Sequence, residues 1–436
     1  MTEIPERRGA RTARLASLPL GVAGRATVGL GKRIGGKSAE DVAADLQART
    51  AQQLFSVLGE LKGGAMKLGQ ALSVFEAALP EESAAPYREA LTKLQEAAPP
   101  MAPESTRRVL DEQFGRRWPE RFASFDEIPA AAASIGQVHH AVWADGREVA
   151  VKLQYPGAGP ALVSDFRQLS RMAWLFARVS PGLDVKPLLA ELRERVLEEL
   201  DYTLEAESQR LFAAAYEGDP DIAIPRVVAS APKAIVTEWM EGTPLSRIIA
   251  QGSQDERDRA GSLMALLHYS APARAGLLHA DPHPGNFRML ADGRLGVVDF
   301  GAVARLPNGS PEPLGRLIRL TLDGDAEAVM HVMLEQRFLR RDHDVTGTQV
   351  MDYLRPIVEP LVHPTFTFTR EWLRTQASRV GDPRREEAQV GRMFNLPPSY
   401  LLIHRVTLGS IAVLCQLGAT APFRALAERW QPGFAS

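Results

Sequence analysis

The stretch HADPHPGNF, His279 to Phe287, places two histidines, an aspartate, an asparagine and two prolines within nine residues. That mixture suits two chemistries: a metal site built on the imidazoles, or a catalytic loop built on Asp281 and Asn286. His279 and His283 stand four apart, a spacing that stacks side chains on one helix face, as in helical zinc motifs. Pro282 and Pro284 forbid a regular helix between them, because proline lacks the N–H and clashes with the preceding turn. The stretch is therefore a fixed loop.

Asp281 precedes Asn286 by five positions, the interval of the kinase catalytic loop H-R-D-x-x-x-x-N. One such match is weak, but two others follow the same pattern. In EVAVKLQ, residues 148–154, strand alternation sets Ala150 and Lys152 on one face and Val149, Val151 and Leu153 on the other. An inward lysine needs an anionic partner once water is excluded, and phosphate oxygens supply one. VVDFG then brings Asp299, Phe300 and Gly301 after an apolar strand. A carboxylate and an amide oxygen suit a hard divalent cation such as Mg²⁺. Lys152, Asp281, Asn286 and Asp299 occur in the order a nucleotide-phosphate site requires. Asp281 and Asn286 are thus expected to carry the chemistry, with the histidines fixing the loop.

These residues need positioning elements. From Asp41 apolar residues recur at three- and four-residue steps through Phe75, a second helix ends at Pro99-Pro100, and a third helical pattern spans 104–115. Strand signals begin near Phe125, where Asp145-Gly146 between β-rich runs predicts a hairpin. A long helical region covers 160–215, AIVTEWMEG gives a strand leaving through Gly242, and the remainder is mainly helical apart from 279–309. Strands and a helix followed by a mostly helical half predict an α+β fold.

Composition is that of an ordinary globular chain, 45% hydrophobic and 24% charged, and the net charge of −2 gives no case for nucleic-acid binding. The single cysteine, Cys415, rules out an intrachain disulfide and, among Val413, Leu414 and Leu417, reads as a buried structural thiol. Residues 1–37 hold Arg7, Arg8, Arg11, Arg14, Arg25, Lys32, Arg33 and Lys37 against Glu3 and Glu6. Two readings of this basic arm stay open, a mobile tail or a peripheral contact with anionic lipid. A signal peptide is disfavoured because Pro19 interrupts a short apolar run. The apolar stretch 401–419 contains His404, Arg405 and Gln416 and is expected to be a buried helix, leaving no transmembrane segment. The expected location is cytoplasmic, with or without peripheral membrane association.

Two departures from an ordinary protein kinase sharpen the reading. Where a glycine loop would cover phosphates, the chain has PAAAASIGQV with only Gly136, so the loop should be stiff. LKGGAMKLGQALS, 61–73, sets Gly63, Lys67 and Gln70 on one helical face, and its glycine pair costs about 1 kcal/mol per residue relative to alanine. These residues resemble the UbiB/AarF (ADCK) atypical kinase-like family. The K-x-G-Q motif is Lys67 to Gln70, the alanine-rich loop is Ala131, Ala132, Ala133 and Ser134, E-x-D is Glu199 to Asp201, and H-x-D-P-H-P-G-N begins at His279. The likeness spans roughly residues 40–420.

The resemblance implies a protein-kinase-like bilobal fold with a small antiparallel-sheet N-lobe and a helical C-lobe. The expected divisions are a basic arm (1–40), a helical K-x-G-Q extension (41–125), an N-lobe with a helical insertion (126–240) and a helical C-lobe (241–436). Lys67 and Gln70 would face the space where a protein substrate docks, with Glu199 and Asp201 holding the extension, so all four would be regulatory. Glu205 would partner Lys152, Ala150 would line the nucleotide site, and Glu238 to Met240 would form the hinge against adenine. Ala280 in place of arginine, and the lack of an A-P-E segment, argue against activation-loop phosphorylation.

The expected activity is a Mg²⁺-dependent, ATP-binding kinase or ATPase supporting isoprenoid-quinone or other lipid metabolism, the lipid link coming wholly from the family. Two alternatives remain: a nucleotide-gated lipid-binding or scaffold protein with incidental turnover, and an aminoglycoside- or choline-type phosphotransferase.

Overall fold

The Asp145-Gly146 turn folds as its chemistry demands. Gly146 takes φ 88°, a left-handed conformation open to glycine, and the flanking segments pair as an antiparallel hairpin. The computed structural model describes residues 100–133, 135–160, 163, 200–340, 344–381 and 385–435. The arm, the helices expected over 41–99, Lys67, Gln70, Ser134 and Glu199 lie outside the described residues. Two compact units result, one within Met1–Tyr202 with Val228–Trp239, the other of Thr203–Val227 with Met240–Ser436.

The elements that matter to the first unit are α1 (Pro103–Phe114), β1 (Phe122–Phe125), β2 (Ala131–Ala133), β3 (Gly136–Trp143) and β4 (Glu148–Gln154). After α2 (Tyr202–Ala215) and β5 (Ile222–Ala223) come β6 (Val227–Ala231) and β7 (Ala234–Glu238). The sheet runs β1-β3-β4-β7-β6, with β2 also paired to β3. Val149, Val151 and Leu153 are fully buried beneath Val109 and Leu110 of α1, with Trp118 and Phe122 closing the edge. The sequence placed 104–115 with the preceding helices; α1 packs on this sheet, because its apolar stripe matches the valine face of β4. The alanine-rich stretch is a strand. Ala131, Ala132 and Ala133 oppose Val138, Gln137 and Gly136.

The second unit holds β8 (Thr243–Pro244), α3 (Gln254–Ala275), β9 (Leu277–His279), β10 (Phe287–Met289), β11 (Leu295–Val297), β12 (Val303–Arg305) and α4 (Pro398–Leu417) among further helices. α3 starts on a capping box, Ser253 with Glu256, and stops at Gly276 with φ 64°. Its core joins Leu263 and Leu267 of α3 to Phe212, Phe300, Val413 and Cys415. Phe212 and Tyr216 insert into this core, which is why α2 from Thr203 on sides with the second unit. Among the described residues one helix, Ser399–Leu417, is long and apolar enough to cross a membrane by length and composition, and half of it is buried within the protein.

Candidate active site

Two short ladders bracket the HADPHPGN loop. β9 pairs antiparallel with β12, His279 opposite Val303, and β10 pairs with β11, Phe287 opposite Val297. Two further backbone bonds close the bracket: Ala280 N–H donates to Ala302 O (2.9 Å) and Val298 N–H to Asn286 O (3.0 Å). The loop carrying Asp281 and Asn286 therefore faces the turn carrying Asp299, although the sequence separates them by more than ten residues.

Within the loop the polar groups hold one another. Asn286 Nδ2 donates to the Asp281 carbonyl (3.2 Å), which commits the amide nitrogen to the backbone and leaves Oδ1 as its donor atom toward a cation. The His283 amide donates to Asp281 Oδ1 (3.3 Å), and the Gly285 amide donates to His283 Nδ1 (3.1 Å). His283 thus caps the Pro284–Asn286 turn as an acceptor. His279 is buried and donates from Nε2 to the Asp299 carbonyl (2.7 Å), its ring against Phe212, Phe287 and Phe300. Both rings are committed to fixing backbone. Among the described residues no group of three or more His, Cys, Asp or Glu could hold a metal ion. Asn286 with Asp299 remains a fitting pair for Mg²⁺, which takes few protein oxygens and completes its shell with phosphates and water.

Asp299 Oδ1 accepts from the Gly301 amide (2.9 Å). Glu205, only 5% exposed, lies on the buried face of α2, and its Oε2 is 3.6 Å from the point a Cβ on Gly301 would occupy. Met240 lies along β11, where a Cβ on Gly296 would fall 2.1 Å from its Sδ. The second unit thus brings Glu205 beside the Asp299 turn and brackets that turn against the loop of Asp281 and Asn286, while Met240 packs on β11.

The first unit sets Lys152, Ala150 and Ala131 on one sheet face. Lys152 is opposite Val138 and Ile235; Ala150 is opposite His140 and Thr237; Ala131 continues the first row. Glu238, on the other face, is 3.7 Å from Arg147, and the Trp239 amide donates to Glu148 O (2.9 Å), fixing the strand exit before Met240. Asp201 is half-buried at the start of α2. One residue that the sequence reading passed over stands here: the Lys152 ammonium lies 5.1 Å from the centre of the Tyr202 ring. An aromatic beginning a helix looks like a core residue, so only its place directly after Asp201 could have drawn notice.

Residues 93–333 match the ABC1 atypical kinase-like domain. The chain is 31% identical over 385 residues to the chloroplastic protein ACTIVITY OF BC1 COMPLEX KINASE 3 of Arabidopsis thaliana, covering 85% of this chain and 51% of that protein. It is 27% identical over 346 residues to the mitochondrial atypical kinase COQ8B of Danio rerio, covering 77% and 55% respectively. Against the solved complex of Rv3197 with erythromycin from Mycobacterium tuberculosis, identity is 48% and the TM-score 0.71, over 92% of this chain and 100% of that one. The chain spans about half the length of the curated relatives it matches. The fold is kinase-like, and the chain belongs to the ABC1 atypical kinase-like, or UbiB, family.

Proposed function

We propose that this chain is a Mg²⁺-dependent, ATP-binding atypical kinase or ATPase acting in isoprenoid-quinone or other lipid metabolism. The observation that carries the reading is the double bracket that sets Asp281 and Asn286 against the Asp299 turn. Lys152 binds the α- and β-phosphates, with Glu205 as its charge partner. Asn286 Oδ1 and the Asp299 carboxylate hold Mg²⁺, which when bound offsets charge on the transferring phosphoryl group. Asp281 orients the acceptor hydroxyl or water, and its backbone link to Asn286 keeps acceptor and phosphate in register. Ala131, Ala132, Ala133 and Ser134 cover the phosphates, Ala150 packs on adenine, and Glu238 to Met240 offer backbone groups to its edge. Lys67, Gln70, Glu199 and Asp201 serve as regulatory elements that restrict the acceptor.

The lipid assignment is supported by the family resemblance, with the basic arm as the feature that could meet an anionic surface. The protein acts from the cytoplasm at an anionic membrane surface. Mg²⁺-ATP turnover measured with and without anionic vesicles tests this part. Stimulation several-fold by anionic but not zwitterionic vesicles is expected, and equal rates in both would remove the membrane from the account.

A second reading, macrolide binding, is favoured by the 48% identity to a chain solved with erythromycin. Titration of erythromycin into the protein, with and without Mg²⁺-ATP, tests it, and saturable binding at stoichiometric level is required.

A further inference from the structure

We propose that Tyr202 is a positioning residue for Lys152, its ring face holding the ammonium in place to meet phosphate. The inference rests on the nucleotide reading above and adds a residue to it.

Tyr202 is 1% exposed, and the Lys152 ammonium stands 5.1 Å from its ring centre. Three neighbours set the place of Tyr202, two through the backbone and one beside its hydroxyl. The Tyr202 amide donates to Pro232 O (3.0 Å) in the turn between β6 and β7. Gln154, two residues beyond Lys152 on β4, donates from Nε2 to Leu200 O (3.2 Å), lacing the start of α2 to the strand that carries the lysine. Gly136 completes the arrangement. A Cβ there would fall 2.1 Å from Leu153 O and 3.1 Å from the Tyr202 hydroxyl oxygen, so the one glycine of the alanine-rich hairpin makes room for both.

Tyr202 therefore touches the ammonium, the base of the alanine-rich hairpin and the β6–β7 turn. Lysine has a long stem with a strongly hydrated head, so holding it at one point is otherwise costly in rotamer freedom. An aromatic face attracts the cation by its quadrupole and occupies none of the donors that phosphate oxygens need.

The test compares Mg²⁺-ATP with adenosine, because only the former uses the ammonium. Equilibrium binding to the full chain is measured for wild type, Lys152→Met, Tyr202→Phe, and the protein with pentafluorophenylalanine at position 202. Phenylalanine keeps the ring face, whereas fluorination reverses its quadrupole at nearly constant shape. Tyr202→Phe should bind both ligands within about twofold of wild type, while the fluorinated protein should lose about five- to tenfold for Mg²⁺-ATP and under about twofold for adenosine. Equal Mg²⁺-ATP affinity in the two ring variants would overturn the proposal, as would parallel loss of both ligands. A wild type that binds no Mg²⁺-ATP, or a Lys152→Met protein that binds it undiminished, would refute the underlying nucleotide reading without reference to Tyr202, and the proposal with it.

Discussion

Glu205 and Gly301 approach so closely that a methyl group on Gly301 would lie 3.6 Å from the Glu205 carboxylate and 3.2 Å from Asp299 Oδ1. Glycine at this position leaves two acidic side chains their geometry. Gly301 lies outside the left-handed φ region, so alanine would act through that contact and not through backbone strain. Gly301→Ala must displace the Asp299 carboxylate by a few tenths of an ångström. Turnover should fall about tenfold and the Mg²⁺ concentration for half-maximal rate should rise, with thermal stability nearly unchanged. Steady-state kinetics across a Mg²⁺ series check this; an unchanged Mg²⁺ dependence would place the metal elsewhere.

His283 is expected to act as a hydrogen-bond acceptor, not as a metal ligand. Removing the acceptor in His283→Ala should cost about 1 kcal/mol of turn stability and lower turnover about tenfold. Asparagine can accept the same Gly285 amide, so His283→Asn should recover most of the rate. If asparagine performs no better than alanine, the ring has a further task that capping does not describe.

Burial gives the N-terminal sheet a pH dependence. His139 is fully buried, with Nδ1 2.7 Å from Asp126 O and Nε2 2.7 Å from the Gln137 amide nitrogen, whose own Oε1 accepts from the Met101 amide. Gln137 thus presents a donor to Nε2, and the ring is neutral with its proton on Nδ1. Loss of hydration holds its pKa below the usual 6.5, opposed in part by the bond to Asp126. The unfolded chain therefore takes up the proton first as pH falls. Stability from this group is complete above pH 6.5 and declines through the window beneath it. Melting temperatures recorded downward from neutral pH should fall below that point, and less steeply in His139→Gln.

Cys415 should resist modification in the native protein. Burial in the C-terminal core pushes its thiol up to about 12, and 2% of its surface is exposed. Iodoacetamide labelling followed by mass spectrometry should find it unreacted until denaturant is added. Native labelling would mean that α4 opens from the core.

Local signals in the chain were enough to locate many of these parts. Asp145-Gly146 announced its hairpin, alternation in EVAVKLQ set Lys152 apart from the buried valines, and Pro282 with Pro284 made the HADPHPGN stretch a loop. Those features act over a few residues and survive translation into structure. The features that were missed depend on partners distant in sequence. The alanines of β2 have little strand preference and become a strand only by pairing with β3. α1 reads as one more helix until its stripe meets β4, and Tyr202 reads as core until Lys152 is seen above its ring. Gly296 carries no local signal at all, since it makes room for the Met240 side chain from outside its own strand.

Asp299 is expected to act with Asn286 at a metal-assisted phosphate site. Hydrolysis or transfer of the terminal phosphate of Mg²⁺-ATP, followed with labelled nucleotide for wild type and Asp299→Asn in parallel, tests it most directly. Wild-type turnover that needs Mg²⁺, with loss of at least about a hundredfold in the variant, is the predicted result. Equal turnover by both proteins would contradict the account.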